Sequence, residues 1–464
     1  MRFKTIDNQE KILKTPSFFI TNNFGGGGTN VSRLFSYLGE LNIRKINLLL
    51  NYYYLNTNLG NKMVFDRVLI DKSFEFENIE NWVEYVRGVY IETEKKTTSK
   101  ISLKKLENLN FFLLDSGSGN IFRNIIEDTS DNILDEYTKI IKDYHNYAHN
   151  LKLNIIIAMD FAKKYTYKAG EKGDEKYVRI SDEFGEDLNK NRRLIKLTIE
   201  DLQKRDFFTP LVFAPIHGNS PNNYLSYLKS IIEFEKKYDF KFDGFAIGGG
   251  IANSKGKDED IWQFPKKLNR FTKSAYICSI VTKMISDFLK NINDDRTIHI
   301  LGAGNHFNIL PLWICGADSY DCHSSWRRAT ENKILIPLLN SNGNYVKNKN
   351  IFHFKKLSEL NGSDFNCECE VCQNYNLNNL KELTIKNKRE THIDKEKYYY
   401  GEILVFFHAI YQYEYLLNKF KEFKDIETIQ KFILKIPDKN LQKNYIDLLK
   451  HLKITEGITK FFGA

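Results

Sequence analysis

Short apolar runs alternate with longer amphipathic stretches along the first 320 residues. The runs lie at 17–21 (SFFIT), 46–50 (INLLL), 110–114 (NFFLL), 154–159 (NIIIAM), 211–216 (LVFAPI), 244–248 (GFAIG), 297–301 (TIHIL) and around 316–320. Most are followed by Asp or Gly, as at Asp115, Asp160, His217-Gly218 and Gly248-Gly249-Gly250. The stretches at 129–150, 195–205, 221–238 and 270–292 carry apolar residues at helical spacing. Strands that are apolar throughout, rather than alternately, belong to a parallel sheet covered on both faces. Eight such strands separated by helices predict a (β/α)8 barrel, with an open doubly wound sheet as the alternative.

Length supports this. A chain of 464 residues exceeds one ordinary core, which stops growing near roughly 250–300 residues. It needs two or three domains, or one large barrel with additions. The polar segment 165–190 reads as an inserted loop or lid, and the Asn- and Lys-rich stretch 340–350 as a flexible surface loop. Helical pattern runs on to the C-terminus, and no internal repeat is visible. Hydrophobic residues at 42% and charged residues at 27% describe a globular chain and exclude wholesale disorder. The net charge of +9 leans towards an anionic partner, nucleic acid among them. No apolar run reaches the roughly 18–20 residues of a membrane helix, and Met1 to Lys14 lacks the apolar core of a secretory signal, so a cytoplasmic location without membrane contact is expected.

Six cysteines in so long a chain make no disulfide scaffold, yet Cys367, Cys369 and Cys372 fall within six positions. Such crowding points to a metal before a disulfide. A tetrahedral zinc site needs one more ligand. His392 and His408 both follow, and His408 lies in GEILVFFHAIYQYEYLL, a predicted helix that would hold it on a fixed face. Such a closed site would be structural; three reduced surface cysteines are the plain alternative.

Carboxylates at strand ends form a second group: Asp115 after FFLL, Asp160 after NIIIAM, and Asp321 after GADSY. In a barrel, the C-terminal strand ends converge on one mouth, where catalytic groups reside. Carboxylates gathered there can divide into a nucleophile and an acid/base. Asp after a strand is often a helix N-cap, which is the plain reading of any one of them alone, the glycine-flanked Asp115 standing apart. The glycines at 248–250 would let backbone approach a flat ligand, and Gly25 to Gly28 either do the same or form a loop. Gly302-Ala303-Gly304 opens like a dinucleotide fingerprint, but Phe307 occupies its sixth position, and the chain has no Walker-type Gly-Lys-Ser/Thr.

Taken together these motifs resemble the guanine transglycosylase family, enzymes that exchange guanine in a nucleic acid for a 7-deazaguanine. FFLLDSGSGNIF is similar to the family's Leu-Asp-Ser-Gly-Gly-Phe motif, and AIGGGIA to its base-binding Gly-Gly loop. ILGAGN followed by GADSYDCHSSW is similar to the segment ending in its nucleophile, and CECEVC with His408 to its zinc site. The resemblance spans about residues 15–420 in family order. It implies a barrel at 15–355, a zinc-binding subdomain at 356–420 and a helical extension at 421–464. It further implies Asp321 as nucleophile on C1′, Asp115 as general acid/base, and Asp160, Ser116, His217, Gly218, Gly248 and Gly249 as base-binding positions. Zinc would be structural, on Cys367, Cys369, Cys372 and His408, and the exchange would need neither ATP nor a redox cofactor.

The chain departs from the family in places. Asp-Ser-Gly-Gly becomes Asp115-Ser116-Gly117-Ser118, Val-Gln-Gly becomes Ile216-His217-Gly218, and Cys372 lies further from His408 than usual. His217 is then either a base contact or an ordinary strand-end histidine, and His392 stays an alternative fourth ligand. Cys322 to Ala329 reads CHSSWRRA, similar to the DpdA-type branch that inserts 7-cyano-7-deazaguanine into DNA. That favours DNA over tRNA as the polymer, with Trp326 stacking on a base and Arg327 and Arg328 meeting phosphates, or else a buried Trp beside a solvated Arg pair. A homodimer or accessory DNA-modification proteins would complete the assembly. A catalytically silent nucleic-acid-binding subunit is the alternative from another class.

Overall fold

A computed structural model describes residues 2–4, 10–21, 46–52, 109–117, 133–150, 153–160, 167–168, 176–177, 184–206, 210–218, 220–248, 270–348, 351–362, 365–384 and 392–453. Eight strands form a closed barrel: β1 Ser17–Thr21, β2 Ile46–Asn51, β3 Leu109–Asp115, β4 Ile155–Ile157, β5 Leu211–Ile216, β6 Gly244–Ile247, β7 Thr297–Ile300 and β8 Ser319–Asp321. Each pairs in parallel with the next. β8 closes the ring on β1, with Ser319 opposite Ser17 and Asp321 opposite Phe19. Closure removes the open-sheet alternative.

The barrel has two apolar faces because side chains alternate along a strand. Phe19, Leu49, Leu113, Ile155, Ile157, Phe213 and Ala246 fill the lumen. Their neighbours Phe18, Ile20, Leu48, Leu50, Phe112, Leu114, Ile156, Val212, Phe245 and Ile247 belong to the outer core, shared with the helices. This double burial is why the runs read as continuous.

The described barrel helices are α1 Ile133–Asn150, α2 Phe184–Gln203, α3 Pro221–Tyr238, α4 Arg270–Asn291 and α5 Ile309–Ile314. Ser220 caps α3 by accepting from Asn223 N, and Pro221 opens it where no backbone donor is lost. Helix α2 begins inside the segment expected to be an insertion; of the earlier part of that segment the structure describes a short antiparallel pair, Tyr167–Lys168 with Lys176–Tyr177. The 340–350 stretch is a tight turn, not a loose loop, over its described residues. Asn340 Oδ1 accepts from Asn342 N and Asn344 N, and the Tyr345 ring stacks on Phe432.

Beyond the barrel come α6 Ser324–Thr330, the antiparallel strands β9 Lys333–Leu335 and β10 Phe354–Lys356, then α7 Glu370–Asn374, α8 Leu377–Leu383, α9 His392–Phe420, α10 Ile426–Leu434 and α11 Lys439–His451. Helix α9 is a 29-residue brace. Its Tyr413 meets Phe18 of β1 at 5.0 Å and shares a 2.6 Å hydrogen bond with Ser325 of α6. Tyr445 of α11 stacks on Phe307 at 4.6 Å, so the last helices join the core of the barrel. No described helix is long and apolar enough to cross a membrane.

Candidate active site

All eight strands point the same way, so their C-terminal residues meet at one mouth. Thr21, Asn51, Asp115 and Asp321 are the last residues of β1, β2, β3 and β8. Asp160 follows β4 by three residues, and His217 and Gly248 directly follow β5 and β6. Asp321 was expected just past its strand, but it lies within it, which fixes its side chain on the lumen side.

Asp321 is 3% exposed and held at both oxygens. Thr21 Oγ1 donates to Oδ2 at 2.7 Å. The Gly302 amide donates to Oδ1 at 2.9 Å, and His299 Nε2 lies 3.3 Å from the same atom. Three donors converge on the carboxylate and stop it rotating. Gly304 lies against the same strand: a Cβ there would stand 2.6 Å from Tyr320 Cβ and 3.1 Å from Asp321 O. The Gly-Ala-Gly run that opened like a dinucleotide fingerprint thus supports the Asp321 strand.

Asp115 is half-buried and accepts from Asn51 Nδ2 at 2.8 Å. Burial, reinforced by the charges of Asp160 and Asp321, pushes its carboxyl up to about 7, against the pull of the Gly117 amide and Asn51. One mouth therefore presents an acid poised at neutral pH beside a carboxylate supplied with donors. That is the separation of roles that acid/base and nucleophile need.

Asp160, 7% exposed, is ion-paired through Oδ2 with Nε2 of His217. The other ring nitrogen of His217 is buried without a hydrogen-bond partner among the described residues, and a Cβ on Gly248 would stand 3.2 Å from His217 Cε1. Tyr224 donates its hydroxyl to Gly248 O at 2.8 Å. A Cβ on Gly218 would come within 2.6 Å of Tyr224 N, so close backbone packing requires glycine there. Tyr144 bridges β3 and β4 by donating towards Leu114 O and Ile157 O. Burial pushes the Tyr144 and Tyr227 hydroxyls well above their ordinary range, with further contributions from Asp115 to Tyr144 and from Asp160 to Tyr227. Ser116 is fully buried beside Asp115. Gly249 and the run Gly25–Gly28 lie outside the described residues.

Trp326, considered as a stacking platform, sits instead at 4% exposure with its ring edge against Phe406, 5.2 Å away. An amphipathic α6 buries it because α9 crosses that face. Arg327 and Arg328 do face outward, each paired with Glu331. Thr21, Asn51, His299 and Ser319 escaped the sequence reading. Their one signal was polarity at inward positions of otherwise apolar strands.

Beside β9 lies a second cluster. The Cys367, Cys369 and Cys372 sulfurs stand 3.7, 3.4 and 3.3 Å from His408 Nδ1. All four ligand atoms lie within 4.8 Å of one another. A tetrahedral zinc with ordinary bond lengths would separate sulfur from nitrogen by about 3.6 Å, so the donor set fits. His408 Nε2 donates to Leu335 O at 2.7 Å, which leaves Nδ1 with a free lone pair facing the sulfurs. His392 starts the same helix about 24 Å away along its axis, too far to join this cluster.

A family model described as queuine tRNA-ribosyltransferase matches residues 90–432. No curated protein matches the chain. Since the matched span carries β3 to β8 and the whole cysteine–histidine cluster, the chain belongs to the queuine tRNA-ribosyltransferase family of guanine transglycosylases.

Proposed function

We propose that this protein exchanges guanine in DNA for a 7-deazaguanine, 7-cyano-7-deazaguanine, through a covalent adduct on Asp321. The observation that carries the reading is the pairing at one mouth of Asp321, held by three donors, with Asp115, whose carboxyl is pushed up to about 7. Asp321 attacks C1′ of the target nucleotide. Asp115 protonates the departing guanine and later takes the proton of the incoming base, work suited to a group that titrates near neutrality. Two successive displacements retain the anomeric configuration. Asp160 and His217 read the base edge, with Ser116, Gly218, Gly248 and Gly249 around it. A base stacked in a duplex must first be unstacked to reach the mouth.

The division of labour is a catalytic barrel at 15–355, a zinc-binding subdomain at 356–420 and a helical extension at 421–464. Zinc, on Cys367, Cys369, Cys372 and His408, supplies a crosslink between the cysteine turn and α9, with no open position for substrate. DNA is favoured by the CHSSWRRA stretch after the nucleophile, whose outward-facing Arg327 and Arg328 would exchange Glu331 for phosphates. A second copy or accessory DNA-modification proteins would supply strand opening, and the setting is the cytoplasm.

The tRNA reading has its own support in the description of the family. Exchange of labelled guanine into DNA and into bulk tRNA separates the two. Uptake by DNA alone is expected; uptake by tRNA alone reverses the choice. If neither polymer exchanges base, the enzyme reading falls and the silent binding subunit takes its place.

A further inference from the structure

The two oxygens of Asp321 are not equivalent. Oδ1 faces both the Gly302 amide and His299 Nε2, whereas Oδ2 has Thr21 alone among the described residues. His299 is fully buried in the lumen, and Phe19 meets it edge-on at 5.6 Å. A carboxylate only accepts, so Nε2 carries the hydrogen. The other nitrogen, Nδ1, then takes the hydroxyl hydrogen of Ser319 Oγ, 2.9 Å away. Ser319 and Asp321 lie two residues apart on β8, both inward, and His299 pairs with Ser319 across the ladder. The imidazole is therefore fixed at both ends by one strand.

We infer that His299, held by Ser319, is a positioning residue that keeps Oδ1 of Asp321 as the carbonyl oxygen of the adduct and leaves Oδ2 to bond C1′. This rests on Asp321 as the nucleophile. In the first step the Oδ2–C1′ bond forms as the C1′–N9 bond of guanine breaks. The electron pair leaves on the base nitrogen, which takes its proton from Asp115. In the second step N9 of the incoming base attacks C1′, its proton passes to Asp115, and the C1′–Oδ2 pair returns to the carboxylate. Negative charge reappears on both oxygens only in that second step, and at Oδ1 it meets two donors already in place. Preorganised donors are worth most where charge develops. His299 therefore acts chiefly on breakdown of the adduct.

The test follows adduct formation and decay separately, with labelled DNA or tRNA on denaturing gels and a chase of free guanine. His299→Asn, polar but too short to reach Oδ1, should slow decay roughly 10- to 100-fold, with a smaller effect on formation, so that adduct accumulates. His299→Gln, whose amide can reach the same oxygen, should restore decay to within several-fold. Ser319→Ala leaves the ring in place and should shift decay in the same direction by a smaller factor. Equal slowing of formation and decay in His299→Asn, or no rescue by Gln, would reduce His299 to a packing residue and overturn the inference. If the wild-type chain forms an adduct and both His299→Asn and Ser319→Ala decay like it, this inference alone falls. If the wild type forms none, the nucleophile reading falls and this inference with it.

Discussion

Asn51 donates its side-chain amide to Asp115 at 2.8 Å, and the two are direct partners in the parallel ladder between β2 and β3. The strand pairing itself thus delivers a donor to the carboxylate that burial otherwise drives towards its neutral form. Replacing Asn51 with Leu removes a contact that favours ionisation, so the Asp115 carboxyl should rise above about 7. Asp115 must carry its proton to release guanine, so the descending limb of the pH–rate profile for adduct formation should move to higher pH. An unmoved or lowered midpoint would show that Asn51 does not tune this group.

Asp115 also sets a stability slope. Its native value near 7 exceeds the ordinary 3.8, so between about pH 4 and pH 7 the native state keeps a proton that the unfolded chain has lost. Stability present below that window is lost as pH rises through it, by at most about 1.4 kcal/mol per pH unit. Asp115→Asn should flatten the slope and raise stability at pH 8 relative to wild type. Denaturant unfolding at pH 5, 6, 7 and 8 measures both, and parallel curves for the two proteins would refute the assignment.

Elemental analysis should find one zinc per chain. His408→Ala and Cys369→Ser should lose it and lower the melting temperature, since Cys369 is fully buried and His408 joins the cluster to Leu335. His392→Ala should retain full zinc content. Loss of metal in His392→Ala, or unchanged melting in Cys369→Ser, would contradict the Cys3His site.

Gly304→Ala would force a Cβ to 2.6 Å from Tyr320 and 3.1 Å from the backbone of Asp321. The overpacking should cost about 1–3 kcal/mol in stability. Displacement of Asp321 should slow adduct formation at least tenfold, beyond what the stability loss explains. Wild-type adduct kinetics at permissive temperature would mean that the strand is not positioned from this side.

Arg327, whose side chain is 76% exposed, can reach a phosphate only by releasing Glu331. Arg327→Ala should weaken polymer binding evenly across sequences and reduce the slope of log affinity against log salt by about one. An unchanged slope would leave the arginine pair as solvated surface.

Much of this was legible in the chain. Eight runs buried on both faces announce a parallel barrel because inward and outward residues must both be apolar, and the described strands lie on those runs. Cys367, Cys369 and Cys372 announce a metal because so few geometries tolerate three thiols together. Asp115, Asp160 and Asp321 were visible as strand-end carboxylates. Trp326 was not legible: nothing in SSWRR says that α9 will cross it, and only the packing against Phe406 makes it core.

What the sequence determined by itself was therefore periodicity and local chemistry: strands, helices, the thiol cluster and the candidate acids. Tertiary structure alone decided how those acids differ. Asp115 and Asp321 are both aspartates at strand ends. One is pushed to about 7 by burial and neighbouring charge, while the other is held by Thr21, Gly302 and His299. These partners come from β1, β7 and the loop after β7, remote in sequence and adjacent only once β8 closes on β1. Hydrogen bonding and desolvation act over a few ångströms of space, and distance along the chain does not encode them.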